Sequence, residues 1–480
     1  MKATGLLAGL FGLALGAQAQ TYQHAILISI DGMHAEDLHA FIKHAPHSTL
    51  ASWAKSGVRF DQAYTPAPAD SFPGLIALIT GGQPTTTGIW YDVTYNHLLA
   101  APSSDCSVRG TEVAYDETID NTTNSALDPN KLPRDPDHGC SPVYPHAYLK
   151  VNTIFDVVQA AGGKTAWIDK HPAYEIVLGP HGHAVDDLYT PEIGANFEGK
   201  HDNPKDKITA SIDRTAEYDH LKMQALLYEL KGLGHDGQHP GTVPELMGMN
   251  MQVVSVAQKL AGYHGSRPQP ALQRAFEDVD QRLSELKNTL QQQHLLDNTF
   301  IIISAKHGNS PINSILVRHL ETQALKQVIE NAAPGALAHL TADDGGLIWL
   351  KGAQYKSVVI HALLQQRHAL GILHVLDAQA APLNYPRDER SPDIVIISQH
   401  GVIYGHAGDT KLAEHGGYGR DDRHVLLLVV DASQHPQHLV HTRVSTQQVA
   451  PTLLVALGLN PDHLEALHKE AVLPLPGLTP

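Results

Sequence analysis

The chain has 480 residues, which is long enough for one large domain with a sizeable core or for two smaller domains. Hydrophobic residues make up 42% of it, a fraction that excludes global disorder. The formal net charge of -16 excludes a general nucleic-acid binder, because such a protein needs a basic surface that replaces counterions. The same net charge is compatible with a small anionic substrate that binds in a local positive pocket.

The first nineteen residues form a predicted secretory signal peptide. Lys2 supplies the positive start, Leu6 to Leu15 is an apolar run broken by glycines, and residues 17–19 (Ala-Gln-Ala) form a small-x-small cleavage site. A membrane anchor is the weaker alternative, because the apolar run is well short of the roughly 20 residues that span a bilayer. The sequence therefore predicts a secreted or periplasmic protein that begins near Gln20 and has no membrane span.

After this leader, compact apolar runs alternate with amphipathic stretches. In chain order, the predicted elements are a strand at His24–Ile30, a helix at Ser48–Ser56, a strand at Val58–Tyr64, a helix at Leu75–Thr80, a helix at Val151–Ala161, a strand at Lys164–Ile168, a strand at Gln252–Val256, a helix at Ala271–Gln293, strands at Thr299–Ser304, Asp393–Ile397 and Val425–Val430, and a helix at Val449–Leu457. This alternation predicts an α/β fold with a mostly parallel central sheet and helices on both faces.

One domain is predicted over residues 20–480, with insertions at about residues 91–150 and 179–248. The only two cysteines, Cys106 and Cys140, lie in the first insertion. An oxidising compartment favours a disulfide between them, and two free buried thiols are the alternative. Two cysteines are too few for a thiolate zinc site.

Four loops stand out at the ends of predicted strands and helices, where parallel α/β proteins place their chemistry. They are Asp31-Gly32, the Asp70-Ser71-Phe72-Pro73-Gly74 run, Lys306-His307-Gly308 and Glu414-His415-Gly416-Gly417. Each motif alone is weak, because an Asp-Gly pair is usually a turn and a serine such as Ser71 is often only a helix cap. Their joint order and placement carry more information than any one of them.

The joint order of these motifs resembles the alkaline phosphatase superfamily, and within it the type I phosphodiesterase and nucleotide pyrophosphatase branch. The resemblance runs from HAILISIDGM to EHGGYGRDDRHVLLLV and includes SFPGLIALITGGQPTTTGIWYD, VNTIFDVVQAAGGKTAW and DVDQRLSELKNTLQQQHLLDNTFIIISAKHG. It implies an alkaline-phosphatase-like fold with inserted loops, and the hydrolysis of phosphate esters.

The resemblance also implies roles for individual residues. Ser71 matches the hydroxyl nucleophile that takes the phosphoryl group covalently, while Asp31, His307 and His415 match metal-ligating side chains. The residue types agree with this chemistry, because a serine hydroxyl is a poor nucleophile at neutral pH unless a base, a metal or a cation lies beside it.

Three further positions are candidates for contacts with the substrate. Asp92 falls where the phosphodiesterase branch has an asparagine that touches a phosphate oxygen, and it brings a negative charge to that position. Lys170 and His171 follow the predicted strand that ends at Ile168 and resemble the family's substrate loop.

The sequence departs from the family pattern at the metal ligands. The family's Asp-His-Gly reads Lys306-His307-Gly308, and the expected Asp-x-x-x-His pair is missing near Val253 to Val256. The remaining ligands predict at most one divalent ion, with zinc as the expected metal. Lys306 either takes the place of a metal, acts as a base with a lowered pKa, or is an ordinary loop lysine.

Three functions are compatible with this pattern. The leading hypothesis is an exported hydrolase that cleaves a small phosphorylated substrate, with phosphodiester or nucleotide pyrophosphate bonds favoured, through a covalent phosphoseryl intermediate on Ser71. The first alternative is a hydrolase of another ester, such as a sulfate or a phosphonate. The second is a non-catalytic binding protein that has lost the two-metal site. The sequence leaves the oligomeric state open.

Overall fold

The computed structural model describes residues 21–121, 126–198, 200, 205–430 and 438–478. The predicted signal peptide lies outside the described residues. Within these ranges, none of the helices has the length and apolar character that crossing a membrane requires.

Twelve strands build the two largest sheets of the described chain. In chain order they are β1 (His24–Ile30), β2 (Val58–Phe60), β3 (Thr165–Ile168), β4 (Asp187–Tyr189), β5 (Leu246–Met251), β6 (Thr299–Ser304), β7 (Leu337–Ala342), β8 (Gly345–Leu350), β9 (Ile372–Asp377), β10 (Ile394–Ser398), β11 (Leu427–Val430) and β12 (His438–Val440).

The central sheet has eight strands in the order β12-β2-β11-β6-β1-β5-β3-β4. Strand β1 runs parallel to both of its neighbours, β5 and β6, and β5, β3 and β4 continue in the same direction. Only β11 runs antiparallel to its two neighbours, β6 and β2. The predicted α/β class with a mostly parallel central sheet is therefore confirmed.

Helices cover both faces of this sheet. The helices of seven or more residues are α1 (Ala35–His44), α2 (Thr49–Ser56), α3 (Ser71–Thr80), α4 (Ile154–Ala160), α5 (Ile212–Glu229), α6 (Val253–Leu260), α7 (Pro270–Gln292), α8 (Thr322–Ala332), α9 (Lys356–Gln365) and α10 (Val449–Ala456). On one face, α3, α4 and α10 pack against Leu27 of β1. On the other face, α1, α2, α5, α6 and α7 pack against Ile26 and Ile28, because successive strand side chains point to opposite faces.

A second sheet, fully antiparallel, has the order β7-β8-β10-β9. It forms its own hydrophobic cluster with α8 and α9. The strand that the sequence predicts at Asp393–Ile397 belongs to this second sheet, as β10, and not to the central one. Apolar runs look alike in both sheets, so the run at Asp393–Ile397 could not indicate which strands it pairs with.

Two segments differ from the predicted arrangement. The run Gln252–Val256, predicted as a strand, begins helix α6, and the strand before it, β5, is built from Met, Gly and Asn as well as Leu. Burial between β1 and β3 holds β5 in place despite its weak β propensity. The stretch 179–248, expected as an insertion, contributes β4 and the start of β5 to the central sheet.

The stretch 91–150 contains short hairpins and 3-10 turns rather than strands of the central sheet. Cys106 and Cys140 form a disulfide there, with their Cα atoms 5.9 Å apart. The bridge predicted from the sequence is confirmed. The loop that it closes contains the short strand Arg134–Asp135, while the paired strand Ser141–Pro142 lies just outside it. The bridge therefore ties together backbone with little regular structure.

Candidate active site

The carboxyl ends of four neighbouring parallel strands supply most of the site. Strand register places Ser29 of β1 beside Ser304 of β6, so Asp31 and Lys306 each follow two residues later at the same edge. On the other side of β1, Ile30 pairs with Met251, which puts Gln252 beside Asp31. Parallel strands bring their carboxyl ends together, so residues far apart in the chain become neighbours here.

Ser71 enters the site at the first residue of α3. Asp70 is the N-cap of this helix, and its side chain accepts a hydrogen bond from the Phe72 amide at 3.2 Å. Ser71 is therefore not the cap, and its hydroxyl is available for other contacts. Gly74 lets α3 approach the backbone of Lys306, because a Cβ there would lie 2.2 Å from the Lys306 carbonyl oxygen.

The Ser71 hydroxyl contacts a neutral imidazole. Its Oγ lies 3.1 Å from His307 Nε2, while His307 Nδ1 lies 2.9 Å from the Gly308 carbonyl oxygen. A carbonyl oxygen only accepts, so Nδ1 carries the hydrogen and Nε2 accepts from Ser71. Burial and the neighbouring His415 hold the pKa of His307 well below its usual value. His307, which the resemblance makes a metal ligand, is thus placed as a general base.

Lys170 lies between Ser71 and Asp31. Its Nζ donates to Ser71 Oγ at 3.2 Å and lies 3.4 Å from Asp31 Oδ2. Burial lowers the pKa of Lys170, but Asp31 and Asp169 outweigh it and leave the pKa raised, so the ammonium is protonated. Burial raises the pKa of Asp31, but the ammonium groups of Lys306 and Lys170 outweigh burial and hold this pKa well below its usual range.

Lys306 forms an ion pair with Asp169. Its fully buried Nζ lies 3.1 Å and 3.2 Å from the two oxygens of Asp169, and 4.1 Å from the centre of the Tyr174 ring. Burial lowers the pKa of Lys306 in spite of Asp169. The ammonium nearest to Ser71 is therefore that of Lys170, which the sequence assigned only to substrate binding.

His415 lies against His307, with ring centroids 3.9 Å apart. Its Nδ1 is 3.3 Å from Asp70 Oδ1, and its Nε2 is 3.7 Å from Glu414 Oε1. Glu414 in turn pairs with Lys259 and Lys411. Carboxylates and ammonium groups thus surround His415, and the pairing of Lys259 with Glu414 was not visible in the sequence.

The residues present do not fit the divalent ion expected from the sequence. The protonated Lys170 occupies the space beside both Asp31 and Ser71, where a metal would bind them. The strand end that carries the family's Asp-x-x-x-His pair has Gln252 and Val256 at that spacing, and the Gln252 amide donates to Asp31. In the ranges that the structure describes, no three His, Cys, Asp or Glu side chains form a group able to hold a metal.

A cavity of about 390 Å³ opens beside this cluster. We call it the lysine cavity after three of its lining residues, Lys170, Lys259 and Lys411. Asp92 and His415 also line it. Ser71, which is 4% exposed, reaches the cavity through its contact with Lys170. A cavity of this volume suits a small ligand, and its lining combines the three lysines with the acidic residues Glu117, Asp343 and Glu414.

The surroundings of Asp92 favour its protonated form. Burial and the nearby carboxylates of Asp70, Asp343 and Asp116 hold the pKa of Asp92 well above its usual value. A neutral carboxylic acid has the shape of an asparagine side chain and can donate a hydrogen bond, as the asparagine of the family does. Asp92 thus lies among like charges that disfavour the ionised form expected from the sequence.

His171 lies apart from the lysine cavity. It is 3% exposed and packs between Phe72 and Tyr174, with ring centroids 5.9 Å and 4.7 Å away. Burial lowers the pKa of His171 to about 3, so the ring is neutral. Its contacts support the Ser71 loop through Phe72 rather than reaching a ligand.

The family model for type I phosphodiesterase / nucleotide pyrophosphatase matches residues 25–419. The chain belongs to this family. Members of the family are metal-dependent phosphoric ester hydrolases that bind phosphorylated substrates. The arrangement around Lys170 is therefore a departure within a family whose other features the chain retains.

Solved structures share the fold at low sequence identity. Murine ectonucleotide pyrophosphatase / phosphodiesterase 5, in an inactive variant in complex with AMP, is 16% identical, with a TM-score of 0.59 over 92% of this chain and 96% of that chain. Wild-type alkaline phosphatase PafA is 14% identical, with a TM-score of 0.65 over 92% of this chain and 97% of that chain. No curated protein sequence matches this chain. The alkaline-phosphatase-like architecture predicted from the sequence is confirmed.

Proposed function

We propose that this protein is an exported hydrolase of phosphate esters that uses Ser71 as its nucleophile and His307 as its base. The observation that carries the proposal is the 3.1 Å hydrogen bond from Ser71 Oγ to the unprotonated Nε2 of His307. Family membership supplies the reaction class, and the Lys170 ammonium beside Ser71 supports an anionic substrate.

In the proposed reaction, Ser71 Oγ attacks phosphorus while its proton passes to His307 Nε2. The bond from Oγ to phosphorus forms, and the bond from phosphorus to the leaving oxygen breaks. The Lys170 ammonium exchanges its contact with Ser71 for the non-bridging oxygens, where charge develops in the transition state. Water then attacks the phosphorus held on Ser71, and the bond from phosphorus to Oγ breaks. The serine oxygen takes back the proton held on His307 Nε2, and the proton of water leaves with the phosphate product.

The far side of the lysine cavity suits the leaving group. Lys259 and Lys411 supply positive charge there, and both are paired with Glu414 beside His415. A phosphate is a good leaving group because it departs as a stabilised anion, so it needs no proton if cations lie near it. This argument favours a nucleotide pyrophosphate bond, whose leaving group is a phosphate, and a phosphodiester only where its leaving oxygen departs as a stabilised anion. AMP in the murine relative also suggests a nucleotide.

Export is part of the proposal. It is supported by the signal-peptide pattern in residues 1–19 and by the disulfide between Cys106 and Cys140, which an oxidising compartment maintains. We place the protein outside the cytoplasm, in the periplasm or the medium.

A non-catalytic binding protein for phosphorylated compounds is the second candidate. The observation that favours it is the loss of the metal ligands at Lys306, Gln252 and Val256. Such a protein would hold its ligand on Lys170 without needing the bond between Ser71 and His307. The two candidates therefore differ in what they require of the serine hydroxyl.

The deciding experiment is the Ser71→Ala variant, assayed with aryl phosphate diesters and dinucleotide pyrophosphates. We expect kcat and kcat/KM to fall together by about three orders of magnitude or more, because a nucleophile acts in the transition state. Acid quench during turnover and peptide mass spectrometry of the parent should find Ser71 esterified by the retained half of the substrate, which is a nucleotidyl group from a dinucleotide pyrophosphate or an aryl phosphoryl group from an aryl diester.

Ser255→Ala is the matched control, because Ser255 lines the lysine cavity but bonds Asn309 instead of His307. It should retain turnover within a fewfold of the parent. A parent that binds AMP but turns over none of these esters establishes the binding protein. Turnover by Ser71→Ala within a fewfold of the parent would remove the nucleophile from the proposal.

A further inference from the structure

A second cavity, of about 580 Å³, lies outside the site at Ser71 and shares none of its lining residues with the lysine cavity. Its walls come from the loop before Ser71, the chain after α3, the loop before β10, and the segments that flank β11 and β12. We call it the arginine cavity; its lining includes Tyr64, Trp90, Tyr385, Tyr418, Arg423 and Arg443. Its volume falls in the range of small-molecule sites.

Two guanidinium groups face this cavity without a carboxylate partner in the described ranges. Arg423 donates from Nε to the Thr65 carbonyl oxygen at 2.9 Å, and Arg443 stacks over the Tyr64 ring at 4.0 Å. Burial and the proximity of Arg443 lower the pKa of Arg423, so the two like charges repel each other. An anion between them would neutralise both charges.

Aromatic rings form the rest of the wall. The Trp90 ring packs 4.5 Å from Tyr385, whose hydroxyl lies 3.2 Å from that of Tyr418. Trp90 is 1% exposed, and its Nε1 has no hydrogen-bond partner among the residues that the structure describes. A buried indole N–H without an acceptor costs free energy, which an acceptor atom on a ligand in this cavity would recover.

We propose that the arginine cavity is a second ligand site that binds a phosphate monoester carried on a planar ring, such as a nucleoside monophosphate. Two guanidiniums supply two positive charges, which match the phosphate dianion. The aromatic wall supplies stacking surface for the ring. This inference rests on the cavity alone and not on the function proposed for Ser71.

The arginine cavity is connected to both active-site loops through the backbone. Ala69 and the Gly416-Gly417 pair exchange two hydrogen bonds of 3.0 Å, which join the loop before Ser71 to the loop after His415. Tyr418, in the cavity wall, follows directly. A ligand that orders this wall would therefore also restrain the loops that carry Ser71 and His415.

The test is isothermal titration calorimetry of the full chain with AMP, and with adenosine and inorganic phosphate as partial probes. We expect two AMP binding events in the parent. Arg443→Gln should weaken one of them at least about tenfold, because a charged hydrogen bond is lost. Lys170→Met should affect only the other. Adenosine, which lacks the anion, should bind weakly at the arginine cavity.

Arg267→Gln is the control, because Arg267 is exposed in the hairpin formed by Tyr263–His264 and Arg267–Pro268 and lines neither cavity. It should leave both binding events unchanged. Arg443 is exposed, so Arg443→Gln should fold, and circular dichroism checks this. The test therefore needs no variant of the partly buried Arg423. The absence of any AMP binding event that Arg443→Gln weakens would overturn the inference, whether the parent shows one event or two and whatever Ser71 does.

Discussion

At the scale of single residues, Lys170 distinguishes this site from a two-metal site. Its ammonium contacts both the proposed nucleophile and Asp31, while Lys306 is satisfied by Asp169. A single positive charge at this position supplies less than a divalent ion would. The neutral His307 lies beside Ser71, where it accepts the serine proton in the proposed reaction.

Replacement of Lys170 by methionine should lower kcat/KM by about a hundredfold or more, because it removes a cation that stabilises developing charge. Steady-state kinetics on an aryl phosphate diester measures this. Lys164→Met is the control: Lys164 precedes β3 and is exposed, and its ion pair with Asp186 lies at the other end of the strand. A Lys170→Met enzyme within threefold of the parent would show that this ammonium does not act on the substrate.

Asp92 should behave as a neutral group. Because burial and Asp70 raise its pKa, Asp92→Asn should change kcat/KM at pH 7 by no more than about threefold, whereas Asp92→Ala should raise KM about tenfold through the lost hydrogen bond. As the pH rises and Asp92 ionises, KM of the parent should increase while that of Asp92→Asn stays level. A large loss in Asp92→Asn at pH 7 would mean that the carboxylate form is the active one.

At the scale of elements, the start of α1 supports the loop that carries His307. His34, the N-cap of α1, is fully buried, with Nδ1 2.7 Å from Asp37 Oδ2 and Nε2 2.9 Å from the Asn309 carbonyl oxygen. Burial lowers the pKa of His34, but Asp37 outweighs it and the pKa rises to about 9. The ring joins α1 to the residues that follow His307, through Asp37 at Nδ1 and through the backbone amide and carbonyl groups of Asn309 at Nε2.

This protonation predicts a pH dependence of stability. The pKa of His34 is about 9 in the folded state against 6.5 for the free side chain, so its contribution is complete below pH 6.5 and is lost as the pH rises to 9. The loss amounts to at most about 3 kcal/mol. Urea unfolding of the parent and of His34→Gln between pH 6.5 and 9 measures this loss, as the change with pH in the difference between their free energies of unfolding. Parallel stability curves for the two proteins would contradict the prediction.

At the scale of the whole molecule, the central sheet assembles the site from strands that are distant in the chain. Strands β1, β3, β5 and β6 deliver Asp31, Lys170, Gln252 and Lys306 to one edge. The antiparallel second sheet packs outside this core and contributes Asp343, beside the lysine cavity. The architecture is that of the family, while the side chains at its centre have changed from metal ligands to ammonium and amide groups.

We therefore expect the purified protein to work without a tightly bound divalent ion. Dialysis against a chelator should leave turnover unchanged, and mass spectrometry should find no stoichiometric zinc, because Lys170 occupies the place between Asp31 and Ser71. A two-metal alkaline phosphatase treated in parallel should lose activity. A stoichiometric ion whose removal abolishes turnover of this protein would refute the arrangement described here.

The sequence by itself determined the features that depend on local pattern. The apolar runs of β1 and β6, the disulfide pair and the motifs around Ser71, His307 and His415 could all be read without a structure. They identified the α/β class, the family resemblance and the missing metal ligands. Each of these is set by residues close together in the chain, or by a choice with a single possible partner, as for the two cysteines.

Only the tertiary structure decided which charges meet. Lys170 and Lys306 lie 136 positions apart, and no local pattern states that the first contacts Ser71 while the second contacts Asp169. The protonation of Asp92 depends on carboxylates from other segments, and β5 is a strand because of its neighbours rather than its composition. Strand pairing and electrostatic coupling are non-local, so they appear only when the chain is folded.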